Sequence, residues 1–184
     1  MTAAEQLKIS VADYLAGELI SDIKHEYVNG MVYAMAGAKR SHNIISANLL
    51  GLLFNHLRGT PCRVFGSDMK VGIQTRTHDC FYYPDVHVSC EAHGHEHYNS
   101  QPELIIEVLS DSTERKDRAE KFYDYRKIPS LEEYVLVAQD SLRIEIYRRR
   151  SGWDLNLLEA GASFQFESVG LALTTADIYQ GVEF

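Results

Sequence analysis

Apolar and polar positions alternate along the chain with two periods, one helical and one extended. Val11, Tyr14, Leu15 and Leu19 share one helical stripe behind Ser10, which predicts a short serine-capped amphipathic helix over Val11–Leu19. His25–Val28 and Met31–Ala34 flank Asn29-Gly30, a strong two-residue hairpin signal. Ile45, Leu49, Leu52, Leu53 and His56 then recur on one face of a predicted helix over Ser41–Leu57. Arg63–Ile73 reads as a strand, or as a strand broken at Gly66. Tyr82–Ser89 alternates, with Val86 and Val88 on one face and Asp85 and His87 on the other. Glu103–Leu109 (ELIIEVL) is almost continuously apolar and reads as a strand covered on both faces. Glu114–Lys127 is a predicted helix stopped at Ile128-Pro129, because the residue before proline avoids the helical region. Glu133–Ala138, Leu142–Tyr147 and Asp154–Leu158 form an expected antiparallel meander, and a short helix near Thr174–Tyr179 closes the chain. This order predicts an α/β or α+β sandwich, a mixed central sheet flanked by helices.

No repeat, low-complexity tract or linker interrupts the pattern, so the 184 residues are expected to form one domain. A chain of this length buries roughly 70% of its unfolded surface and needs neither disulfide nor metal to fold. With 45% hydrophobic and 24% charged residues it is not a disordered, collagen-like or coiled-coil chain. Leu49–Phe54, its longest aliphatic stretch, is far short of the ~20 residues of a membrane span, so no membrane partner is expected. Met1–Ile9 lacks the basic and apolar regions of a signal peptide. Cys62, Cys80 and Cys90, odd in number and without CxxC spacing, point to a reducing compartment. Together these features give a cytoplasmic expectation. The net charge of −8 sets the molecule as a whole against nucleic acid. The charge is uneven, however: Glu114–Lys127 is a local +2, Leu142–Arg150 a local +3, and residues 1–30 a local −3.

Glu107 interrupts the most apolar run of the chain, where an unpaired carboxylate would cost several kcal/mol. Asp85 poses the same question on another strand. Two carboxylates on neighbouring strands suit Mg²⁺, a hard cation that prefers oxygen ligands; the alternative is a pair of strand-end acids matched with arginine. Asp117, Lys121 and Tyr125 follow at i, i+4, i+8 along one helical stripe. Lys121 could meet the same phosphate or water as the carboxylates, or form an ordinary solvated pair with Asp117.

Taken together, Tyr83-Pro84-Asp85-Val86, then Pro102–Ser110 with Glu107 at its centre, then Asp117, Lys121 and Tyr125, resemble the PD-(D/E)XK nuclease superfamily. Within it, the chain resembles the Uma-type family of putative restriction endonucleases. The hairpin Glu26–Gly30, Ser41-His42 at the head of the long helix, and Glu132–Val137 add to the match, which spans residues 8 to 178. The resemblance implies a restriction-endonuclease-like core with an added N-terminal helix and hairpin, cutting nucleic-acid phosphodiesters with Mg²⁺, or Mn²⁺ in its place. It assigns the metal to Asp85 and Glu107 and adds Glu26 as an acid from the first elements. The chain departs from the superfamily at Leu109, where the motif places lysine. Lys121 on the following helix is the matching residue.

His42 opens the long helix on its apolar face and is a further candidate, either facing the site or filling a core or capping role. His87 is suggestive only by sharing a face with Asp85. His93-Gly94-His95-Glu96-His97 lacks a second ligand pair and reads as a polar loop with adventitious metal affinity. Arg148-Arg149-Arg150 reads as a solvated hairpin edge. The leading expectation is an endonuclease acting on DNA in preference to RNA, and a homodimer would provide two sites for two strands. The rivals are a catalytically silent nucleic-acid- or protein-binding module of the same fold, and a metal-dependent small phosphodiesterase. No separate DNA-reading module such as a helix-turn-helix is present in the pattern.

Overall fold

The computed structural model describes residues 8–184 other than 93 and 112. Helix α1 (Val11–Glu18) starts where Ser10 Oγ accepts the Asp13 N–H at 3.1 Å. It buries Tyr14, while Leu19 lies outside the helix and 60% exposed, so the expected stripe is one residue shorter. Strands β1 (His25–Val28) and β2 (Met31–Ala34) pair across Asn29 (φ 49°) and Gly30 (φ 93°), the left-handed pair that a tight hairpin turn requires. Helix α2 (Arg40–His56) buries Ile45, Leu49 and Leu53 but leaves His56 exposed.

Arg63–Ile73 is broken at Gly66, the second of its two readings, into β3 (Arg63–Gly66) and β4 (Lys70–Gln74), which join different sheets. The alternating stretch Tyr82–Ser89 is likewise divided. Strand β5 (Asp79–Tyr82) ends before Pro84, which has no N–H to give a ladder, and β6 (Val86–Ser89) starts after Asp85 in the other sheet. All four residues of β6 are buried, so both faces of the alternating strand are covered.

A short β7 (Tyr98–Asn99) precedes β8 (Pro102–Leu109), whose residues beyond Glu103 are all buried. One continuous helical stretch follows: α3 (Glu114–Lys116), a π-helical turn (Asp117–Lys121) and α4 (Phe122–Tyr125). Strands β9 (Glu133–Ala138), β10 (Ile144–Arg148) and β11 (Leu155–Leu158) form the expected meander. A second hairpin, β12 (Ser163–Phe166) and β13 (Leu171–Thr174), was not expected; it leads into α5 (Thr175–Ile178), closed by a Thr174/Asp177 capping box.

The strands form a six-stranded mixed sheet, β11-β10-β9-β8-β6-β3, and a five-stranded sheet, β2-β1-β5-β4-β7. Strand β8 is central, antiparallel to β6 and parallel to β9. Its period of two sends Leu104, Ile106 and Val108 toward Ile45, Leu49 and Leu53 of α2. Ile105 and Leu109 face the other way, into a core with Val71, Tyr82, Tyr125 and Tyr134. Each such aliphatic side chain stabilises the fold by about 1.5–3 kcal/mol on burial. Glu107 shares the face of Ile105 and Leu109, and therefore points at the helix that carries Lys121.

Two further expectations are corrected. Cys62 and Cys90 form a disulfide, because the pairing of β3 with β6 sets them next to the Arg63–Ser89 rung; only Cys80 is a free, buried thiol. The cysteine count therefore does not support a reducing compartment. Nor is the arginine run a solvated face. Arg148 donates to Glu133 at 2.8 Å and to the Gln165 carbonyl at 3.0 Å, and Arg149 donates to the carbonyls of Leu131, at 2.7 Å, and Ile128. Arg150 alone reaches outward, to Glu167. Among the described residues no helix is long and apolar enough to cross a membrane.

Candidate active site

Strands β6 and β8 part at Asp85, and the two carboxylates meet there. Val86 pairs with Ile106, so the next ladder position of β8 has no strand residue opposite it. The Asp85 carboxylate fills that place: Oδ2 accepts the Val108 N–H at 2.7 Å, while the Asp85 N–H lies 3.4 Å from Glu107 Oε2. Each carboxylate thus touches the other strand's backbone. His42 Nε2, from the first turn of α2, is 3.2 Å from Asp85 Oδ2.

Glu107 is only 2% exposed. Its Oε1 accepts from Lys121 Nζ and from the Tyr125 hydroxyl, both at 3.1 Å. Lys121, 4% exposed, also stands 3.0 Å from Glu26 Oε1 and 3.1 Å from Asp117 Oδ1. Glu26 comes from β1, in the other sheet, and its second oxygen accepts from Lys116 Nζ at 2.5 Å. The Tyr82 ring floors the cluster, with Lys116 Nζ 5.4 Å and Lys121 Nζ 5.6 Å from its centroid. Such cation–π contacts add to the retention of the ammonium groups when desolvated. The π-helical turn lies over Asp117–Lys121, and the Tyr134 hydroxyl donates to the Asp117 carbonyl at 2.9 Å. Turns of this kind recur at functional sites, where they re-aim side chains.

Four carboxylates (Glu26, Asp85, Glu107, Asp117) therefore face two ammonium groups and one imidazole. Burial pushes the Glu107 carboxyl well above its ordinary range; Lys121 opposes this, and the negative charges of Asp117, Asp85 and Glu26 reinforce it. Burial raises Asp117 as well, against the pull of Lys121. Glu26 is lowered: burial would raise it, but Lys121 and Lys116 outweigh that. Burial alone would discharge Lys121, yet Glu107, Glu26 and Asp117 hold it protonated. His42 is likewise raised, the penalty of burial being outweighed by Asp85.

The donor set around Asp85 and Glu107 is oxygen, and the site is short of positive charge. Glu26 Oε1 and Asp117 Oδ1 are buried without an aligned hydrogen bond. A divalent hard cation fits such a set.

All seven residues singled out in the sequence, Glu26, His42, Asp85, Glu107, Asp117, Lys121 and Tyr125, converge here. His87 does not. The backbone turns at Asp85, and His87 is fully buried elsewhere, its Nε2 2.8 Å from Asn99 Nδ2 and its ring stacked on Phe65. His95 stacks on Tyr98 with centroids 4.2 Å apart; His93 lies outside the described residues. Lys116 and Tyr82 were missed. Lys116 is off the i, i+4 stripe and ends the short helix just before the π-helical turn.

The chain belongs to the Uma2 family, described as "putative restriction endonuclease", whose model matches residues 11–176. Two relatives come from Synechocystis sp. (strain PCC 6803). The uncharacterized protein slr1290 is 38% identical over 182 residues, covering 96% of this chain and 94% of that one. The uncharacterized protein sll1609 is 36% identical over 154 residues, covering 81% and 85%. Among solved structures, a putative nuclease of the DUF820 group from Anabaena variabilis superposes with a TM-score of 0.75 at 16% identity, covering 95% of this chain and 99% of that one. At that identity the likeness is one of fold alone: a mixed α+β architecture with mixed sheets flanked by helices.

Proposed function

We propose that this chain is a Mg²⁺-dependent endonuclease that hydrolyses nucleic-acid phosphodiesters, DNA in preference to RNA. The observation that carries the reading is Lys121, an ammonium buried among Glu26, Glu107 and Asp117 at 3.0–3.1 Å, with Asp85 on the adjoining strand. Asp85 and Glu107 would hold Mg²⁺, with Mn²⁺ as a substitute; when bound, the ion supplies polarisation of the phosphate and a lowered pKa for an attacking water. The protein's own groups do the rest. Lys121 stays charged and offers its N–H bonds to a phosphate oxygen or to the nucleophile as negative charge develops. Glu26 and Asp117 hold that ammonium in place, and Lys116 fixes Glu26. The Tyr125 hydroxyl orients Glu107, and His42 orients Asp85. Cutting both strands of a duplex needs two such sites, which a homodimer would supply.

A second reading rests on the same lysine. With three carboxylates within 3.1 Å, Lys121 is already matched in charge, as in a binding module that does not cut. Calorimetric Mg²⁺ and Mn²⁺ titration at low salt, paired with cleavage of plasmid DNA, separates the two. Glu107→Gln is expected to lose metal binding and cleavage. Lys121→Met is expected to keep metal binding and cleave roughly 100-fold or more slowly. Cleavage by Glu107→Gln at the wild-type rate overturns the assignment. DNA binding without cleavage in every divalent ion selects the silent module, and turnover of a chromogenic phosphodiester alone selects a small phosphodiesterase.

A further inference from the structure

A second cluster of metal-ligating side chains lies at the hydroxyl end of Tyr82, and the nuclease reading does not use it. His78, in the turn between β4 and β5, and Cys80, two residues on, face α4, which supplies Asp124. One donor atom from each, the imidazole nitrogen, the thiol sulfur and a carboxylate oxygen, lies within 4.8 Å of the other two. We propose that His78, Cys80 and Asp124 form a binding site for a borderline transition-metal ion of the Zn²⁺ type.

Three features support this. The donor set mixes nitrogen, sulfur and oxygen, which suits Zn²⁺ or Co²⁺ and does not suit Mg²⁺ or Ca²⁺. His78 Nε2 is buried and 2.8 Å from Asp124 Oδ1, so the imidazole and the carboxylate already converge on one point. Finally, Lys127 Nζ sits 2.6 Å from the same Oδ1, where it supplies the positive charge a metal would bring. The side chains of His78 and Lys127 are 23% and 25% exposed, so the site has a route to solvent. Three protein ligands leave a fourth position for water. Binding releases the Cys80 thiol proton to solvent and requires Lys127 to swing away from Asp124.

The surroundings hold the ligands in register. Tyr82 OH donates to Asp124 Oδ2 at 2.7 Å, and Asn29 Nδ2 lies 2.8 Å from His78 Nδ1. Metal at Nε2 places the imidazole proton on Nδ1, where an acceptor is needed. Asn29 meets that need only by turning its amide and giving up the Asp79 N–H that its Oδ1 now accepts at 3.0 Å. Asn29→Asp would accept both, and at φ 49° aspartate is well tolerated. The site clamps α4 onto β5 one residue from Tyr125, which orients Glu107.

The test uses the full chain, stripped with chelator and titrated with Co²⁺ and then Zn²⁺. One equivalent of Co²⁺ is expected to give a thiolate-to-cobalt charge-transfer band that Zn²⁺ abolishes. Histidine and carboxylate sites elsewhere do not give that band. It should vanish in Cys80→Ser, weaken in Asp124→Asn and persist in Glu107→Gln, which keeps this result separate from that of the nuclease centre. Asn29→Asp is expected to tighten Zn²⁺ binding about tenfold. A band that is missing in the wild type, or that survives Cys80→Ser, overturns the proposal. Equal Zn²⁺ affinity in wild type and Asp124→Asn, with both proteins folded by circular dichroism, overturns it as well.

Discussion

At Glu107 the chain keeps a carboxylate where the strand around it would be better served by an aliphatic or an amide. Replacing it with glutamine keeps the shape, removes one of four crowded carboxylates, and leaves Lys121 still facing Glu26 and Asp117. Glu107→Gln is therefore expected to raise stability by about 1 kcal/mol in denaturant titration, the trade of stability for function that active sites make. Glu145 behaves in the opposite sense. Burial would raise its carboxyl, but hydrogen bonds from Arg118 and Tyr147 and the charges of Arg118 and Arg143 hold it below 4.5. Its stabilisation is complete above that ordinary value and is lost as pH falls through the depressed one. Glu145→Gln should thus cost about 1–3 kcal/mol at neutral pH and flatten the acid limb of a stability–pH curve; an unchanged limb would refute this. In the sequence, Glu107 and Asp85 were legible because a charge within an apolar run demands a partner. Lys116 and the trio His78, Cys80 and Asp124 were not, since nothing local marks residues that meet only across the fold.

The elements that were read correctly carry their own signals: Asn29-Gly30 for the hairpin, Ser10 for the first cap, Pro129 for the end of the helix. Those read wrongly depend on distant neighbours. Which sheet a strand joins is not written in its own alternation: a break at Gly66 is only one of two readings of Arg63–Ile73, and Tyr82–Ser89 looks like one strand although Tyr82 ends β5 and Val86–Ser89 is β6. The π-helical turn over Asp117–Lys121 leaves no mark in the apolar pattern, although it carries two buried residues of the site, Asp117 and Lys121. The second hairpin did have a cue, the alternating Ser163–Phe166 and Leu171–Thr174 on either side of Gly170. Within β4, a methyl group at Gly72 would come 2.7 Å from both the Phe81 and the Tyr98 rings, closer than any relaxed contact. Gly72→Ala is expected to destabilise the protein by about 1–3 kcal/mol through overpacking. A thermal midpoint equal to that of the wild type would show that the rings move aside freely.

Across the whole molecule, two properties work against the nuclease reading's substrate and compartment, and both can be measured. The net charge of −8 means that any hold on a phosphate backbone is local, so DNA affinity should fall steeply between 50 and 200 mM salt, values at which such contacts are ordinarily compared. A salt-independent affinity would point to a protein partner. The Cys62–Cys90 bridge ties positions 28 residues apart, and reducing it should lower unfolding free energy by about 2–4 kcal/mol. If dithiothreitol leaves the denaturation midpoint in place, the bridge contributes nothing to the fold. One further consequence follows from where Lys121 finds its partners. Glu26 rises from the five-stranded sheet, Glu107 from the six-stranded one and the lysine from the helix after it. A ribosome delivers the first of these long before the last. A nascent chain that has not yet reached Lys121 therefore carries acids without their ammonium, and the cluster closes only once both sheets and the following helix are in place.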